Sequence, residues 1–361
     1  MARNAHEAKF LDSTAPIRSG EELNLGRLEP YLLRQLPGSC GPLIVEQFPQ
    51  GHSNLTYLVR LGDRELALRR PPFGSRVKTA HDMGREYLVL SKLHKAYPLA
   101  PRPFFYCEDE SVLGAPFYAM ERIRGVILRK DLPPGLEIAP ETARRISEAF
   151  IDNLARLHGL DFEAVGLGDL GKPEGFVARQ IAGWIKRYGH SRTHDVEGVE
   201  DISRWLTRNQ PPETGSALIH NDYKYDNVVL AATDLTRIIG VLDWEMCTLG
   251  DPLIDLGTAL NYWMNPDDAQ DLLQIRFGLT TLPGTLSRRQ LAERYGETSG
   301  RDISDLAYYY AYGLFKTAVI CQQIYYRYHH GLTRDERFPA FLDATRVLMR
   351  AALRVAETGI V

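Results

Sequence analysis

The sequence predicts an α+β protein with a small antiparallel sheet near its start and a larger, mainly helical part after it. Short apolar runs rich in β-branched residues lie between residues 43 and 120. Helices are expected in several segments from residue 141 onwards, beginning with a run of apolar residues at helical spacing. The length of 361 residues favours two domains or lobes. We therefore expect a strand-rich first lobe with one main helix, followed by a helical second lobe.

The composition is typical of a globular protein, with 44% hydrophobic and 25% charged residues. The net charge of −3 predicts neither a nucleic-acid nor a membrane partner. The sequence has no run of about 20 apolar residues for a membrane span, and its first ten residues lack the apolar core of a signal peptide. Four widely spaced cysteines predict reduced thiols and a cytoplasmic location: Cys40, Cys107, Cys247 and Cys321.

The first lobe is expected to follow a polar segment. Residues 1–20 predict a flexible arm, and residues 21–36 predict a short helix. Strands are expected at 43–48, 55–61 and 66–70, where apolar residues cluster between turn residues.

The turn at 49–54 joins the first two predicted strands and consists of small and polar residues. Gly51, Ser53 and Asn54 would let backbone N–H groups approach a phosphate, as in other anion-binding nests. A plain hairpin turn has the same composition, so both interpretations fit the residues.

A helix is expected at 79–97, where apolar residues recur at helical spacing. Glu86 lies near the apolar face of this helix, either as the partner of a buried cation or as a solvated carboxylate.

His158 is interpreted as a packed or capping histidine. A further strand is expected at 117–120, and helices at 141–160, 257–263, 306–326 and 338–356. Seven tyrosines crowd two of these segments, either filling the core or lining a groove: Tyr308, Tyr309, Tyr310, Tyr312, Tyr325, Tyr326 and Tyr328.

The segment 218–230, LIHNDYKYDNVVL, carries the clearest chemical signal. It places His220, Asp222 and Asn227 in the spacing H-x-D-x-x-x-x-N, and Asp243 ends the next apolar run. Phosphoryl transfer to a hydroxyl requires a carboxylate that takes the hydroxyl proton and oxygen ligands that hold Mg²⁺ on the nucleotide phosphates. Asp222 suits the first role, while Asn227 and Asp243 suit the second. His220 is expected to brace the loop by hydrogen bonds.

Asn227 and Asp243 are predicted to lie at the outer ends of a β-hairpin. The runs 227–231 and 237–242 are short and β-branched, and residues 232–236 would connect them as a longer loop. Paired residues of a hairpin are roughly 5 Å apart. The two side chains would then share one cation.

The chain resembles the aminoglycoside phosphotransferase and choline kinase family, which has a protein-kinase-like two-lobed fold. The resemblance runs from about residue 40 to 350. It is strongest to the branch that also occurs fused to acyl-CoA dehydrogenases, through the segments GHSNLTY (51–57), LRRPP (68–72) and GDPLID (250–255). It implies that Asp222 is the catalytic base, that Asn227 and Asp243 bind Mg²⁺, and that ATP is the phosphoryl donor. The family usually has His-Gly-Asp where this chain has His-Asn-Asp.

The same resemblance implies roles for three residues of the first lobe. Arg69 occupies the position of a lysine that contacts the α- and β-phosphates, with Glu86 as its partner. Glu121 begins the segment expected to hold the adenine by backbone groups. Strand alternation would point Arg70 at the site instead, because neighbouring residues face opposite sides. The family spacing favours Arg69.

Two further residues of the second lobe are assigned by the resemblance. Lys224 lies two residues after the base, where a cation neutralises charge on the transferred γ-phosphoryl group. Asp255 resembles a buried carboxylate that supports the catalytic loop.

Residues 166–172, GLGDLGK, satisfy two glycine-rich nucleotide-binding patterns without their structural context. Both patterns require a preceding strand and a helix that begins at their end. Here the end of a predicted helix precedes the segment, and Pro173 stands where a P-loop needs Ser or Thr. We interpret it as a loop.

The phosphate acceptor is expected to be a small molecule. Protein kinases carry a long activation segment after the metal-binding aspartate, whereas Gly250 follows Asp243 here within a few residues. Residues 261–361 contain twelve Lys and Arg against eleven Asp and Glu, so an acidic surface for a polycationic aminoglycoside is not evident. The acyl-CoA dehydrogenase branch implies a hydroxyacyl-CoA or a related hydroxylated metabolite. An aminoglycoside or choline-type kinase and a non-catalytic nucleotide- or CoA-binding module are the alternatives.

The predicted organisation is therefore a flexible arm at 1–20, a nucleotide-binding lobe at 21–122, and a catalytic and substrate-binding lobe at 123–361. The expected partners are a nucleotide and a small-molecule hydroxyl substrate.

Overall fold

The computed structural model describes residues 9–49, 54–73, 82–333 and 335–361. Gly51, Ser53 and the predicted start of the second helix at 79–81 lie outside the described residues. The chain forms two compact units. The first contains Met1–Ile127 and Val229–Cys247, and the second contains Leu128–Val228 and Thr248–Val361.

The first unit contains a five-stranded antiparallel sheet in the order β1-β2-β3-β5-β4. The central strand β3 pairs with β2 and β5. The strand at Pro103–Cys107 was not predicted. It lies at an edge of the sheet and begins with a proline, which is tolerated at an edge or at the first position of a strand. The strands are β1 Leu43–Gln47, β2 Leu55–Leu61, β3 Arg64–Arg70, β4 Pro103–Cys107 and β5 Phe117–Glu121.

The turn between β2 and β3 depends on Gly62. Its φ is +58°, and a Cβ there would lie 1.9 Å from the carbonyl oxygen of Cys40. Any other residue would therefore clash as well as adopt a left-handed backbone.

Both faces of this sheet are covered. Helix α1 (Leu25–Gln35) contributes Leu28 and Leu32 to a core with Tyr57 and Leu68 on one side. Helix α2 (Met83–Leu93) packs against β4 and β5 and is capped by the side chain of Asp82. A short helix, α3 (Glu110–Leu113), precedes β5.

A two-stranded sheet of β7 (Val228–Ala231) and β8 (Asp234–Val241) follows later in the chain. The predicted connection at 232–236 is wrong, because only Ala232 and Thr233 lie between the strands. Asp234 and Thr236 look like loop residues in the sequence, yet they begin β8 and bond to each other, with Thr236 N donating to Asp234 Oδ1 at 3.0 Å. Asn227 ends a 3₁₀ turn just before β7 rather than starting the strand.

The second unit is mainly helical, with one short antiparallel pair of β6 (Ala217–Ile219) and β9 (Thr248–Gly250). Its helices are α4 Pro140–His158, α5 Phe176–Ser191, α6 Val199–Arg208, α7 Pro252–Asn261, α8 Gln270–Gln274, α9 Arg288–Ser299, α10 Leu306–His329 and α11 Phe341–Thr358. Helix α7 starts earlier than predicted, because Asp251 caps it and Pro252 occupies its first position.

Helix α10 is largely buried and packs closely against α7. A Cβ on Gly313 would lie 2.3 Å from the carbonyl oxygen of Gly257, so the two backbones approach where side chains are absent. The tyrosines in the first half of α10 are buried, as expected for core filling, whereas those near its end are more exposed. In the described part of the chain, no helix combines the length and apolar character needed to cross a membrane.

Candidate active site

In the first unit, Arg69 joins a strand, a helix and the segment after β8. Its Nη1 lies 2.8 Å from Oε1 of Glu86, and its Nη2 lies 2.9 Å from Oδ1 of Asp243. Glu245 Oε2 is 3.6 Å from the same Nη2. Burial lowers the pKa of Arg69, but the carboxylates of Glu86 and Asp243 outweigh it and hold the pKa above its usual value. We call Arg69, Glu86 and Asp243 the Arg69 cluster.

Arg70 is directed elsewhere. Its Nε donates to the carbonyl of Pro71 at 3.1 Å, and its guanidinium carbon lies 3.5 Å from the ring centroid of Phe73. Strand alternation pointed to Arg70 because it assumed one buried face. Both faces of β3 are buried, so a buried arginine on either face is compatible with the pattern.

Helix α2 fixes the backbone after Asp243. Glu86 Oε1 accepts the backbone N–H of Trp244 at 3.1 Å, and Arg85 Nη2 donates to the carbonyl of Cys247 at 2.6 Å. Asp243 itself has a left-handed backbone with φ +67°. Asn54, the described member of the predicted phosphate turn, donates through Nδ2 to Glu245.

Glu121 lies apart from these contacts in the sheet. It is exposed at the last position of β5, pairs in register with Leu66, and donates its backbone N–H to Arg102 at 2.8 Å.

In the second unit, the carboxylate of Asp222 is surrounded by donors from its own loop and from Tyr262, the residue that follows α7. Lys224 Nζ lies 3.1 Å from Oδ1 and 2.9 Å from Oδ2, and Asn227 Nδ2 lies 3.1 Å from Oδ2. The hydroxyl of Tyr262 donates to Oδ1 at 3.0 Å. The Asp222 side chain keeps 17% of its surface exposed, so a substrate group can still approach it. We call residues 220–227 the Asp222 loop.

Lys224 balances this carboxylate. Burial lowers the pKa of Lys224, but the Asp222 carboxylate outweighs that effect, and the pKa stays above its ordinary value. The ammonium also lies 4.9 Å from the ring centroid of Tyr262. Lys224 is therefore charged in the folded protein.

The buried carboxylate of Asp255 supports the Asp222 loop through the loop backbone. Asp255 accepts the backbone N–H of His220 at 2.6 Å and that of Asn221 at 2.8 Å. Its Oδ2 also lies 3.1 Å from Nε2 of His158, whose Nδ1 lies 2.7 Å from the Tyr295 hydroxyl. Burial would raise the pKa of Asp255, but the contacts with His158 and His220 outweigh it and lower the pKa. His158 is a packed histidine within this network.

Asn227 and Asp243 have the chemistry of Mg²⁺ ligands, since that cation prefers oxygen donors. Asn227 uses its Nδ2 to donate to the carbonyl of Asp222 at 2.8 Å, which leaves Oδ1 as the amide atom able to bind a cation. In the first unit, Asp243 keeps 30% of its side chain exposed. Judged unit by unit, both residues fit a hard cation.

Sequence reasoning missed Tyr262, Lys316 and Arg85. Tyr262 lies forty residues beyond Asp222 and Lys316 lies on α10, so neither belongs to a local motif. Lys316 was detectable only as a charged residue in an otherwise apolar helical stretch. Arg85 stands next to Glu86 but gave no separate signal.

Comparison with known proteins shows which family the chain belongs to. The profile of the phosphotransferase enzyme family matches residues 44–291. Acyl-CoA dehydrogenase family member 11 from Gallus gallus is 32% identical over 95% of this chain, and the match covers 45% of that protein. The chain thus spans less than half the length of this curated relative.

Two solved structures are similar over most of the chain. A candidate aminoglycoside phosphotransferase from Ralstonia eutropha JMP134 has a TM-score of 0.78 and 30% identity, covering 93% of this chain and 99% of that one. A thermostable mutant of the aminoglycoside phosphotransferase APH(4)-Ia, solved with ADP and hygromycin B, has a TM-score of 0.59 and 17% identity, covering 91% and 98%. The second similarity concerns the fold alone. With a matched profile over 248 residues and a structural relative at 30% identity, the chain belongs to the phosphotransferase enzyme family, in its protein-kinase-like fold.

Proposed function

We propose that the protein is an ATP- and Mg²⁺-dependent kinase that transfers the γ-phosphoryl group to the hydroxyl of a small molecule. The observation that carries this proposal is the Asp222 carboxylate, oriented by Lys224 and Tyr262 and still partly exposed. A carboxylate in this state can accept the proton of an alcohol as that oxygen attacks phosphorus.

The roles of the neighbouring residues follow from their charges. Lys224 offsets negative charge as the phosphoryl group moves. Arg69 is the proposed contact of the nucleotide phosphates, and its ion pair with Glu86 would hold the guanidinium in place. Gly51, Ser53, Asn54 and Glu121 remain proposed nucleotide contacts on the sequence argument. Asn227 and Asp243 are the proposed Mg²⁺ ligands, and the bound cation would neutralise charge on the β- and γ-phosphates.

The proposed acceptor is a hydroxyacyl-CoA or a related hydroxylated metabolite. This rests on similarity to proteins named as acyl-CoA dehydrogenase family members, and on the absence of an acidic excess in residues 261–361. The four cysteines are free, which supports the proposed cytoplasmic location.

The test is Mg²⁺-dependent transfer of the γ-phosphoryl group from ATP across hydroxyacyl-CoAs, choline, simple sugars and aminoglycosides. We expect turnover with hydroxyacyl-CoAs and its loss in Asp222→Asn. Turnover with choline or an aminoglycoside would support the proposed kinase activity but would replace hydroxyacyl-CoA as the proposed acceptor. Nucleotide binding without transfer to any acceptor would favour the non-catalytic module, and the absence of nucleotide binding would reject the proposal.

A further inference from the structure

Lys316 is a buried lysine that the proposed chemistry does not use directly. Its side chain lies on α10, the residue is 1% exposed, and its Nζ donates to the carbonyl of Asn221 at 2.7 Å. The amide oxygen Oδ1 of Asn221 is 3.4 Å from the same ammonium. Burying a charged ammonium costs desolvation energy, so a lysine held mainly by oxygens of one loop residue calls for an explanation.

Helix α10 is built to bring this lysine to the Asp222 loop. Tyr309, Gly313 and Lys316 follow the spacing i, i+4, i+7 and so share one face of the helix. Gly313 allows α10 to approach Gly257 on α7, and Tyr309 donates to Asp251 at the start of α7 at 3.0 Å. Lys316 lies one turn further along the same face, at Asn221.

The peptide group between Asn221 and Asp222 is held at both ends. Lys316 binds its carbonyl oxygen, and its N–H donates to Nδ1 of His220 at 3.3 Å. A peptide group is planar, so fixing its oxygen and its N–H also fixes the Asp222 Cα, from which the carboxylate side chain extends. Asn221 also has a left-handed backbone with φ +67°, which an asparagine tolerates better than most residues.

We propose that Lys316 is a positioning residue for phosphoryl transfer, whose ammonium holds the Asn221 carbonyl and thereby fixes the backbone from which the Asp222 carboxylate extends. This inference rests on the proposed kinase function. It also accounts for asparagine at position 221, since the Oδ1 of Asn221 offers the ammonium a second oxygen that a glycine would lack.

The protonation of Lys316 gives the inference a distinct signature. Burial lowers the pKa of Lys316 to about 8, while Asp222 and Asp255 raise it and Lys224 and Arg187 lower it further. The buried face of α11, which packs on α10, is apolar apart from Thr345. As the pH rises through 8, Lys316 loses its positive charge, its hydrogen bond to the carbonyl weakens, and kcat is expected to fall. An arginine at this position would stay charged.

The experiment compares Lys316→Met and Lys316→Arg with the exposed control Lys186→Met on α5. With the acceptor found by the panel, we expect Lys316→Met to lower kcat about 30-fold while KM for ATP stays within twofold. Lys316→Arg should retain most of kcat and move the alkaline fall of activity to higher pH. Hydrogen exchange of the segment 217–228, measured without substrate, should accelerate in Lys316→Met and not in Lys186→Met.

The outcomes separate this inference from the proposed function. A wild-type protein that phosphorylates no acceptor would reject the proposed function, and the exchange measurement would still decide whether Lys316 holds the loop. Unchanged kcat in Lys316→Met, or unchanged exchange at 217–228, would overturn the positioning role. Exchange accelerated throughout the second unit would also overturn it, since that result indicates a general packing role.

Discussion

The Arg69 cluster of the first unit and the Asp222 loop of the second are organised differently. In the Arg69 cluster, charged side chains from a strand, a helix and the end of a hairpin neutralise each other directly. In the Asp222 loop, the proposed catalytic groups come from eight consecutive residues, and distant buried residues bind the loop backbone. The first arrangement depends on charge balance and the second on orientation. Mutations that break the charge balance should therefore reduce stability in the first, in addition to their effect on the proposed nucleotide and Mg²⁺ binding. Mutations that disturb orientation in the second should chiefly reduce the rate.

The largest expected effect is the loss of turnover in Asp222→Asn. The amide keeps the size of the side chain but cannot accept the alcohol proton, so kcat should fall about 1,000-fold. Steady-state kinetics with the acceptor from the panel would measure this, with the exposed Asp234→Asn as the control. A loss of less than tenfold would show that Asp222 is not the base.

Removing the cation of the Arg69 cluster should chiefly destabilise the protein. Arg69→Met leaves the buried carboxylate of Glu86 without its partner, and we expect a loss of about 3–5 kcal/mol in the free energy of unfolding. Urea denaturation followed by fluorescence would measure it. Arg70→Met removes the neighbouring arginine, whose attraction to Glu21 does not outweigh its burial, and should cost clearly less. Equal losses of stability in the two variants would contradict the stabilising role of the Arg69 cluster.

A smaller effect on rate is expected from Tyr262→Phe. The variant keeps the ring, which lies 5.5 Å from that of Phe277, and removes only the hydroxyl that donates to Asp222. A hydrogen bond to a charged group contributes about 1.5 kcal/mol or more, so kcat should fall about tenfold with KM for ATP unchanged. Thermal unfolding would verify that the fold is retained. An unaltered kcat would mean that Lys224 and Asn227 orient the carboxylate without Tyr262.

A further expected effect is a dependence of stability on pH caused by Lys316. Its pKa is about 8 in the folded protein and near 10.5 in the unfolded chain. Between these two pH values the unfolded chain therefore binds more protons than the folded protein. The cost of burying the charge is fully present below pH 8 and is relieved as the pH rises towards 10. The stability of the wild type relative to Lys316→Met should therefore rise between pH 8 and 10. Denaturation of both proteins at pH 7, 8, 9 and 10 would measure the trend, and a flat difference would contradict it.

Local patterns predicted the Asp222 loop better than its supports. Asp222, Lys224 and Asn227 lie within six residues, so their spacing alone brings them together. Three residues reach the same loop from α7, from the residue after it and from α10, and only tertiary packing shows which loop atoms they touch: Asp255, Tyr262 and Lys316. The family resemblance supplied Asp255 but not the other two.

The strands were predicted closely where β-branched residues are bounded by turn residues, as in β2, whose observed ends match the predicted 55–61. The choice between Arg69 and Arg70 was not decided by alternation, because β3 is buried on both faces. The loop at 232–236 was predicted too long, since polar residues on an exposed strand resemble a turn in sequence. For β3 and for the 232–236 segment, the sequence did not show which faces of the strand other elements of the fold would bury.

The chain order of the first unit has a consequence for synthesis. Residues 229–247, which include Asp243, belong to the same compact unit as residues 1–127, yet about a hundred residues of the other unit separate them in the chain. The ribosome therefore has to synthesise residues 128–228 of the second unit before the first unit is complete. We expect the five-stranded sheet to remain without the β7–β8 hairpin until these later residues have been synthesised. A chain truncated after residue 127 would lack both that hairpin and Asp243.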